Sequence, residues 1–140
     1  QKSGGVATNI GVHFFDMLTW IFGKEQSSIV HLSMPDKAAG FIELENARIR
    51  WFLSLDAKDL PDETRSQGKR TYRSITIDGQ EIEFSEGFTD LHTVSYTEIL
   101  KGNGFRLEEC RQSVETVYKI RNQQPVAPKG EYHPMIRKIL

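Results

Sequence analysis

The sequence predicts an α+β domain: one N-terminal helix, a mostly antiparallel open β-sheet, and two C-terminal helices. Three observations favour this order. Apolar residues recur every three or four positions over residues 9–22, as on one face of a helix. They alternate with polar residues over residues 28–55, which is typical of half-buried strands. Helical periodicity returns over residues 93–122, and strands followed by helices are typical of α+β folds.

The first helix is predicted over residues 9–22, with Thr8 or Asn9 as its N-cap and Gly23 as its C-terminal stop. Strands are predicted over residues 28–34, 38–45 and 47–55. The polar pair Glu45-Asn46 indicates a tight turn, so the second and third strands should form an antiparallel hairpin. Apolar residues on the opposite strand faces indicate that the second face of the sheet is covered, and another subunit could cover it: Ile29, Phe41 and Phe52.

Residues 56–69 are polar and predict a loop. A further strand pair is predicted over residues 72–85, because Asp78-Gly79 suits a hairpin turn with positive φ. Its inward residues should be Ile75, Ile77, Ile82 and Phe84. Helices are predicted over residues 93–101 and 107–122, and Cys110 should lie on the apolar side of the last helix as a buried small residue.

Composition excludes several classes of function. The 140 residues fit one domain, and 18 basic against 19 acidic residues give a net charge of −1, which argues against nucleic acid and a polybasic membrane anchor. A single cysteine excludes an internal disulfide and a multi-cysteine metal site. The apolar runs are too short to span a membrane, so we expect a cytoplasmic protein. Because the chain starts with Gln1 instead of Met, we expect it to be part of something longer.

Candidate chemistry is sparse in the residues themselves. His13 could transfer a proton near neutral pH, with Asp16 and Trp20 further along the same helix, although a structural histidine is the commoner case. No histidine has the spacing of a metal ligand, so we expect no metal. The run Gly102-Asn103-Gly104 follows a helix, which is the wrong context for a dinucleotide-binding turn. Arginines in the strands could bind an acidic substrate or simply face solvent.

One segment resembles the second-domain signature of the Gfo/Idh/MocA oxidoreductases. It contains a glycine pair, an asparagine, a histidine four residues later, and a helix that ends in Phe-Gly: Gly4, Gly5, Asn9, Gly11, His13, Asp16, Phe22 and Gly23. The resemblance covers nearly the whole chain. It implies that residues 1–140 form the C-terminal substrate-binding and oligomerisation domain, with a fold like the C-terminal domain of glyceraldehyde-3-phosphate dehydrogenase.

A narrower resemblance concerns the segments 70–76, 88–96 and 102–105. They are similar to one branch of that family, the UDP-N-acetyl-2-amino-2-deoxyglucuronate 3-dehydrogenases of lipopolysaccharide O-antigen biosynthesis. That branch oxidises the C3 hydroxyl of the UDP-sugar to a ketone and passes hydride to NAD. The resemblance therefore implies a UDP-sugar as substrate and NAD as cofactor.

The resemblance also implies roles for particular residues. His13 matches the family's catalytic histidine, and Asn9 stands where the broader family has an aspartate, so Asn9 should orient the substrate hydroxyl instead of carrying a proton. Four residues separate the two, which favours one helix face. Gly5 should let the backbone approach the sugar. Further substrate-side candidates are Arg73, Thr89, His92 and Tyr96.

The family's dinucleotide-binding Rossmann domain, with its lysine-bearing segment, has no counterpart in this sequence. NAD should therefore be held mainly by a preceding domain that this chain lacks, and the isolated chain should be inactive. The resemblance implies a homo-oligomer, a dimer or tetramer, joined through the sheet. The alternative is a non-catalytic module in which the sheet serves only oligomerisation or ligand binding.

Overall fold

The structure is a computed structural model that describes residues 4–86 and 89–140. The chain divides into two compact units, residues 1–55 with 106–140 (unit 1) and residues 56–105 (unit 2). The predicted helices and strands occur in the predicted order, so the α+β fold is confirmed. The prediction of a loop over residues 56–69 was wrong in part, because this stretch contains the 3₁₀-turn Ala57–Asp59 and the short helix Asp62–Ser66.

Unit 1 contains a three-stranded antiparallel sheet in the order β1-β2-β3, formed by Glu25–Ser33, Lys37–Leu44 and Ala47–Ser54. The predicted hairpin is confirmed, because β2 and β3 pair in uninterrupted register from Leu44↔Ala47 to Lys37↔Ser54. Two register shifts interrupt the β1–β2 ladder. Gly40 sits at its centre, where a side chain would collide with the Ile29 carbonyl and the Trp51 ring.

The first face of the sheet is covered by two helices, α1 (Val12–Phe22) and α4 (Leu107–Asn122). Gly23 ends α1 with a φ of 87°, and its N–H donates to the Thr19 carbonyl at 3.0 Å, as the sequence predicts. The helices and strands share a core whose members on this face include Phe15, Leu18, Val30, Ile42, Trp51, Val117 and Ile120. The Phe15 ring packs edge-on against Trp51 at 5.3 Å between centroids.

The second face is covered in part by the C-terminal segment of the chain itself, residues 126–140, which we call the strap. His31 is buried, and its two ring nitrogens lie 3.2 Å and 3.1 Å from the carbonyl oxygens of Val126 and Glu131. A short 3₁₀-helix, Pro134–Lys138, places Ile136 against Leu32 and Ala39. The sequence indicates that the second face is covered, and another subunit could have been the cover. At Leu32 and Ala39 the strap of the same chain supplies this cover, whereas Ile29 remains 40% exposed.

Unit 2 contains a 3₁₀-turn (Ala57–Asp59), a short helix α2 (Asp62–Ser66), a hairpin of β4 (Ser74–Ile77) and β5 (Gln80–Glu83), and α3 (Leu91–Leu100). The predicted turn is confirmed, since Asp78 and Gly79 both have positive φ. The prediction of inward-facing residues was wrong for Ile77 and Ile82, which are 42% and 53% exposed, so this hairpin does not bury one face along its whole length.

The prediction for Cys110 was also wrong, because the thiol is exposed. The buried side of α4 instead carries Ser113, Thr116, Val117 and Ile120. Thr116 donates a hydrogen bond of 2.8 Å to the Glu25 carboxylate, so a polar contact ties α4 to β1. Within the described ranges, no helix is long and apolar enough to cross a membrane.

Candidate functional site

The candidate site begins where the chain enters its first helix. Gly4 and Gly5 have φ values of 77° and 87°, which side-chain-bearing residues rarely adopt. The N–H groups of Thr8 and Asn9 both donate to the Gly5 carbonyl. The chain then forms a π-helical turn, Ala7–Gly11, that leads directly into α1. Such turns are rare and are frequent at functional sites.

The outer side of this continuous helix carries the predicted catalytic pair. Asn9 and His13 are both exposed, and so are Asp16 and Trp20 on the same line along the helix. Trp20 is strongly exposed, with 85% of its surface accessible. The structure therefore brings Asn9 and His13 to one accessible helix face, immediately after the glycine pair.

A cleft of about 480 Å³ opens beside the glycine pair. Gly4 and Gly5 line it together with the apolar Val6 and Val30 and the exposed Arg121. The lining mixes polar and apolar surface, and the Arg121 guanidinium suits an anionic group of a ligand. Neither Asn9 nor His13 lines this cleft.

The other predicted substrate residues lie in unit 2. The Arg73 guanidinium donates to the Ser85 carbonyl at 3.0 Å, and the Arg73 backbone N–H donates to the Ser85 hydroxyl at 2.9 Å. Thr89 lies just before α3, His92 in its first turn and Tyr96 in its middle, and all three are exposed. Phe88, which the narrower resemblance includes, lies outside the described residues.

Several titratable side chains have shifted pKa values, among them Tyr72, Glu81 and His133. The hydrogen bond to Glu81 raises the pKa of Tyr72 and lowers the pKa of Glu81. Burial, with a smaller contribution from Arg50, lowers the pKa of His133, whose ring stacks on Phe52. In the part of the chain that the structure describes, no cluster of three His, Cys, Asp or Glu residues could hold a metal ion.

Two comparisons identify the family. Residues 1–61 match the Gfo/Idh/MocA family model described as "Oxidoreductase family, C-terminal alpha/beta domain". The structure also superposes, with a TM-score of 0.89 and 51% identity over 94% of this chain, on the WlbA (WbpB) dehydrogenase from Thermus thermophilus in complex with NAD and alpha-ketoglutarate. The chain belongs to the Gfo/Idh/MocA oxidoreductase family.

A second solved structure is similar to this Gfo/Idh/MocA chain. It is the WlbA (WbpB) dehydrogenase from Thermus thermophilus in complex with NAD and UDP-GlcNAcA, with a TM-score of 0.89 and 50% identity over 96% of this chain. In both cases the chain spans only 43% of the length of the solved protein.

Sequence reasoning missed the π-helical turn of this Gfo/Idh/MocA chain. In the structure, Val6 and Gly11 are both buried although they are five residues apart. An α-helix buries residues three or four apart. Gly11 has no side chain, so it does not count as an apolar position in the sequence pattern. The five-residue spacing between Val6 and Gly11 therefore could not be seen in the hydrophobic periodicity.

Proposed function

We propose that this chain is the substrate-binding part of an NAD-dependent sugar dehydrogenase. Its substrate is a UDP-linked N-acetylated glucuronate, and its product is the 3-keto sugar formed by oxidation of the C3 hydroxyl. The observation that carries the proposal is the exposed Asn9–His13 pair, four residues apart on one helix face directly after a left-handed glycine pair. The similarity to a dehydrogenase solved with NAD and UDP-GlcNAcA supports it.

His13 is the residue for the proton. Oxidation of a secondary alcohol releases a proton from oxygen and a hydride from carbon, and imidazole is well matched to accept the proton near neutral pH. His13 is exposed on the helix surface, so a substrate hydroxyl can reach its ring. Asn9 offers an amide that can accept from or donate to a neighbouring hydroxyl, and this fixes the orientation of the sugar without taking up a proton.

The described residues do not fit the cofactor. A dinucleotide pyrophosphate needs a glycine-rich turn between a strand and a helix N-terminus. Gly102 and Gly104 follow α3 instead, and the glycine pair Gly4-Gly5 opens a π-helical turn. We therefore propose that NAD is held by a preceding domain of the full-length protein and that this chain contributes the groups that face the sugar.

The remaining substrate contacts are proposed for unit 2. Thr89, His92 and Tyr96 are exposed polar or aromatic residues in and around α3, and they can hydrogen-bond to or stack on a sugar nucleotide. Arg73 is also proposed for the substrate side, because a guanidinium suits an anionic group of the sugar nucleotide. We further propose that the enzyme works in the cytoplasm and supplies lipopolysaccharide O-antigen synthesis, since nucleotide sugars and NAD are cytoplasmic metabolites.

A homo-oligomer joined through the sheet remains part of the proposal, with Ile29 and its exposed neighbours on the second face as the contact. The alternative, a module that serves assembly alone, has less support. The strap already covers Leu32 and Ala39 on that face, while an assembly role leaves the exposed Asn9–His13 pair without a purpose.

The test is steady-state kinetics of the full-length protein with NAD and a panel of UDP-sugars. We expect NADH formation with the N-acetylated glucuronate, and His13→Ala should lower kcat by about 10²- to 10⁴-fold, as loss of a proton-transfer group does. Gln26→Ala, exposed on β1, is the control and should retain wild-type kcat. Absence of turnover with every UDP-sugar, or near-normal turnover by His13→Ala, contradicts the proposal.

A further inference from the structure

The π-helical turn changes which residues of the first helix can share a face. The buried positions along the core-facing side of this helix are Val6, Gly11, Phe15 and Leu18, and Thr19, next to Leu18, is buried as well. The first step is five residues, whereas the next two are four and three. An α-helix repeats its face every 3.6 residues, so a five-residue step does not occur in it, but a turn closed by i→i+5 hydrogen bonds supplies one.

The additional residue in the π-helical turn allows Val6 to be buried while Asn9 is exposed. Val6, at 3% exposure, anchors the end of the glycine pair in the core, while Asn9 is exposed in line with His13. In an uninterrupted α-helix, positions three apart lie on the same side. Either Val6 would then leave the core, or Asn9 would turn away from the face that carries His13.

Gly11 determines how closely this turn sits on the sheet. A Cβ atom at position 11 would lie 2.9 Å from Cε2 of Phe15 and 3.1 Å from Cδ1 of Leu53 in β3. The Phe15 ring is fully buried and packs edge-on against Trp51, so it has no free space to move into. Only a residue without a side chain lets the turn approach β3 this closely.

We infer that the π-helical turn, seated on β3 through Gly11, is the device that positions Asn9 and His13 relative to the Gly4–Gly5 backbone. Gly11 touches no substrate and is a positioning residue. The inference rests on the proposed function. A methyl group at position 11 displaces the start of the helix from β3, and this moves both catalytic side chains relative to the glycine pair that approaches the sugar.

The test compares Gly11→Ala with Gly104→Ala in the full-length protein. Both substitutions bring a Cβ to 2.9 Å from a side-chain carbon, at Phe15 and at Ile99 respectively, but Gly104 belongs to unit 2, whereas the glycine pair belongs to unit 1. We expect kcat to fall by roughly 10- to 100-fold in Gly11→Ala, since small misplacements of catalytic groups cost this much. The KM for the UDP-sugar should change little, and Gly104→Ala should keep its kcat.

A background that lacks both catalytic side chains separates positioning from general damage. In Asn9→Ala/His13→Ala, adding Gly11→Ala should cause no further loss of the residual kcat, because the groups that it positions are absent. A further loss of the same factor as in wild type, or a wild-type kcat for Gly11→Ala alone, overturns the inference.

Deletion of Ala7 serves as a second variant in case Gly11→Ala does not fold. It removes the extra residue without adding an atom to the core, so the turn should close as an α-helix and kcat should fall. An unchanged kcat in the deletion variant overturns the inference.

If no UDP-sugar is a substrate, the proposed function is wrong, but the positioning role of Gly11 can still be tested. Crystal structures of the two variants then decide. An altered register, with Val6 out of the core or Asn9 turned off the His13 face, supports the positioning device. A five-residue turn that persists with Asn9, His13 and Gly5 in their original places overturns it.

Discussion

The two units of the chain differ in how they bury apolar residues. In the described chain, the buried hydrophobic side chains all belong to unit 1, where helices cover one face of the sheet and the strap covers part of the other. In unit 2 the helix α3 has no buried residue, and its apolar side chains face outward: Leu91, Val94, Tyr96, Ile99 and Leu100. Unit 2 therefore draws little stability from a core of its own.

This difference bears on the division of labour that we propose. The proposed catalytic residues, Asn9 and His13, sit on a helix that is anchored by Phe15 and Leu18, which suits groups that must hold their geometry. The proposed substrate contacts of unit 2 sit on a weakly anchored helix, which suits segments that adapt to a ligand or bury their apolar surface against a partner.

The largest expected contrast comes from the same substitution in each unit. Leu18 is 7% exposed and Leu100 is 88% exposed. Leu18→Ala should lower the free energy of unfolding by about 2–5 kcal/mol, because it leaves a cavity in the core. Leu100→Ala should change it by less than about 0.5 kcal/mol. Urea denaturation measures both, and equal losses would show that unit 2 has a core comparable to that of unit 1.

A smaller contrast is expected between two glycines. In Gly40→Ala the new Cβ meets the Ile29 carbonyl and comes within 2.7 Å of Cζ2 of Trp51, and the cost should be about 3 kcal/mol, the upper end for overpacking. In Gly79→Ala the surrounding space is open, so only the positive φ opposes the change, at about 1–2 kcal/mol. Thermal unfolding checks the order, and a greater loss for Gly79→Ala would contradict it.

The smallest effect concerns pH and the strap. Burial lowers the pKa of His133 in the folded chain below its ordinary value, which the unfolded chain keeps. At a pH between these two pKa values, the unfolded chain is protonated at His133 more than the folded chain is. Stability should therefore fall as pH drops below about 6.5, by less than the one-proton limit of about 1.4 kcal/mol per pH unit because the ring is partly solvated.

Urea denaturation at pH 7.5 and pH 5.5 tests this expectation. His133→Gln should reduce the pH dependence, whereas His92→Gln, on the exposed surface of α3, should leave it unchanged. If removal of His133 does not alter the difference between the two pH values, the strap is not the pH-sensitive part of unit 1.

Much of the fold was predictable because period-two and period-3.6 patterns are local. The three long strands, both hairpins and the helices near residues 9–22, 93–101 and 107–122 follow from them. The strap could not be predicted, since its attachment depends on His31 and on carbonyl groups about a hundred residues away. The exposure of Cys110 was missed because α4 uses Ser113 and Thr116, not its apolar residues alone, on the buried side.

The candidate site was only partly accessible to the same reasoning. The sequence predicts that Asn9 and His13 share a face, and both are exposed on the first helix. The π-helical turn between Ala7 and Gly11 escaped prediction, because it depends on how Gly11 fits against Phe15 and Leu53. That fit is a property of three-dimensional packing, which a one-dimensional pattern does not record.

Unit 1 is built from two stretches of sequence with unit 2 between them, and this affects the order in which it can fold during synthesis. The strands emerge from the ribosome first, but the helix α4 and the strap that cover them are made about fifty to eighty residues later. At about 5–20 residues per second, Leu32 and Ala39 wait several seconds until Ile136 of the strap is made. The nascent sheet is thus the stage most open to aggregation, and a nonsense mutation shortly before Ile136 would leave Leu32 and Ala39 without this cover permanently.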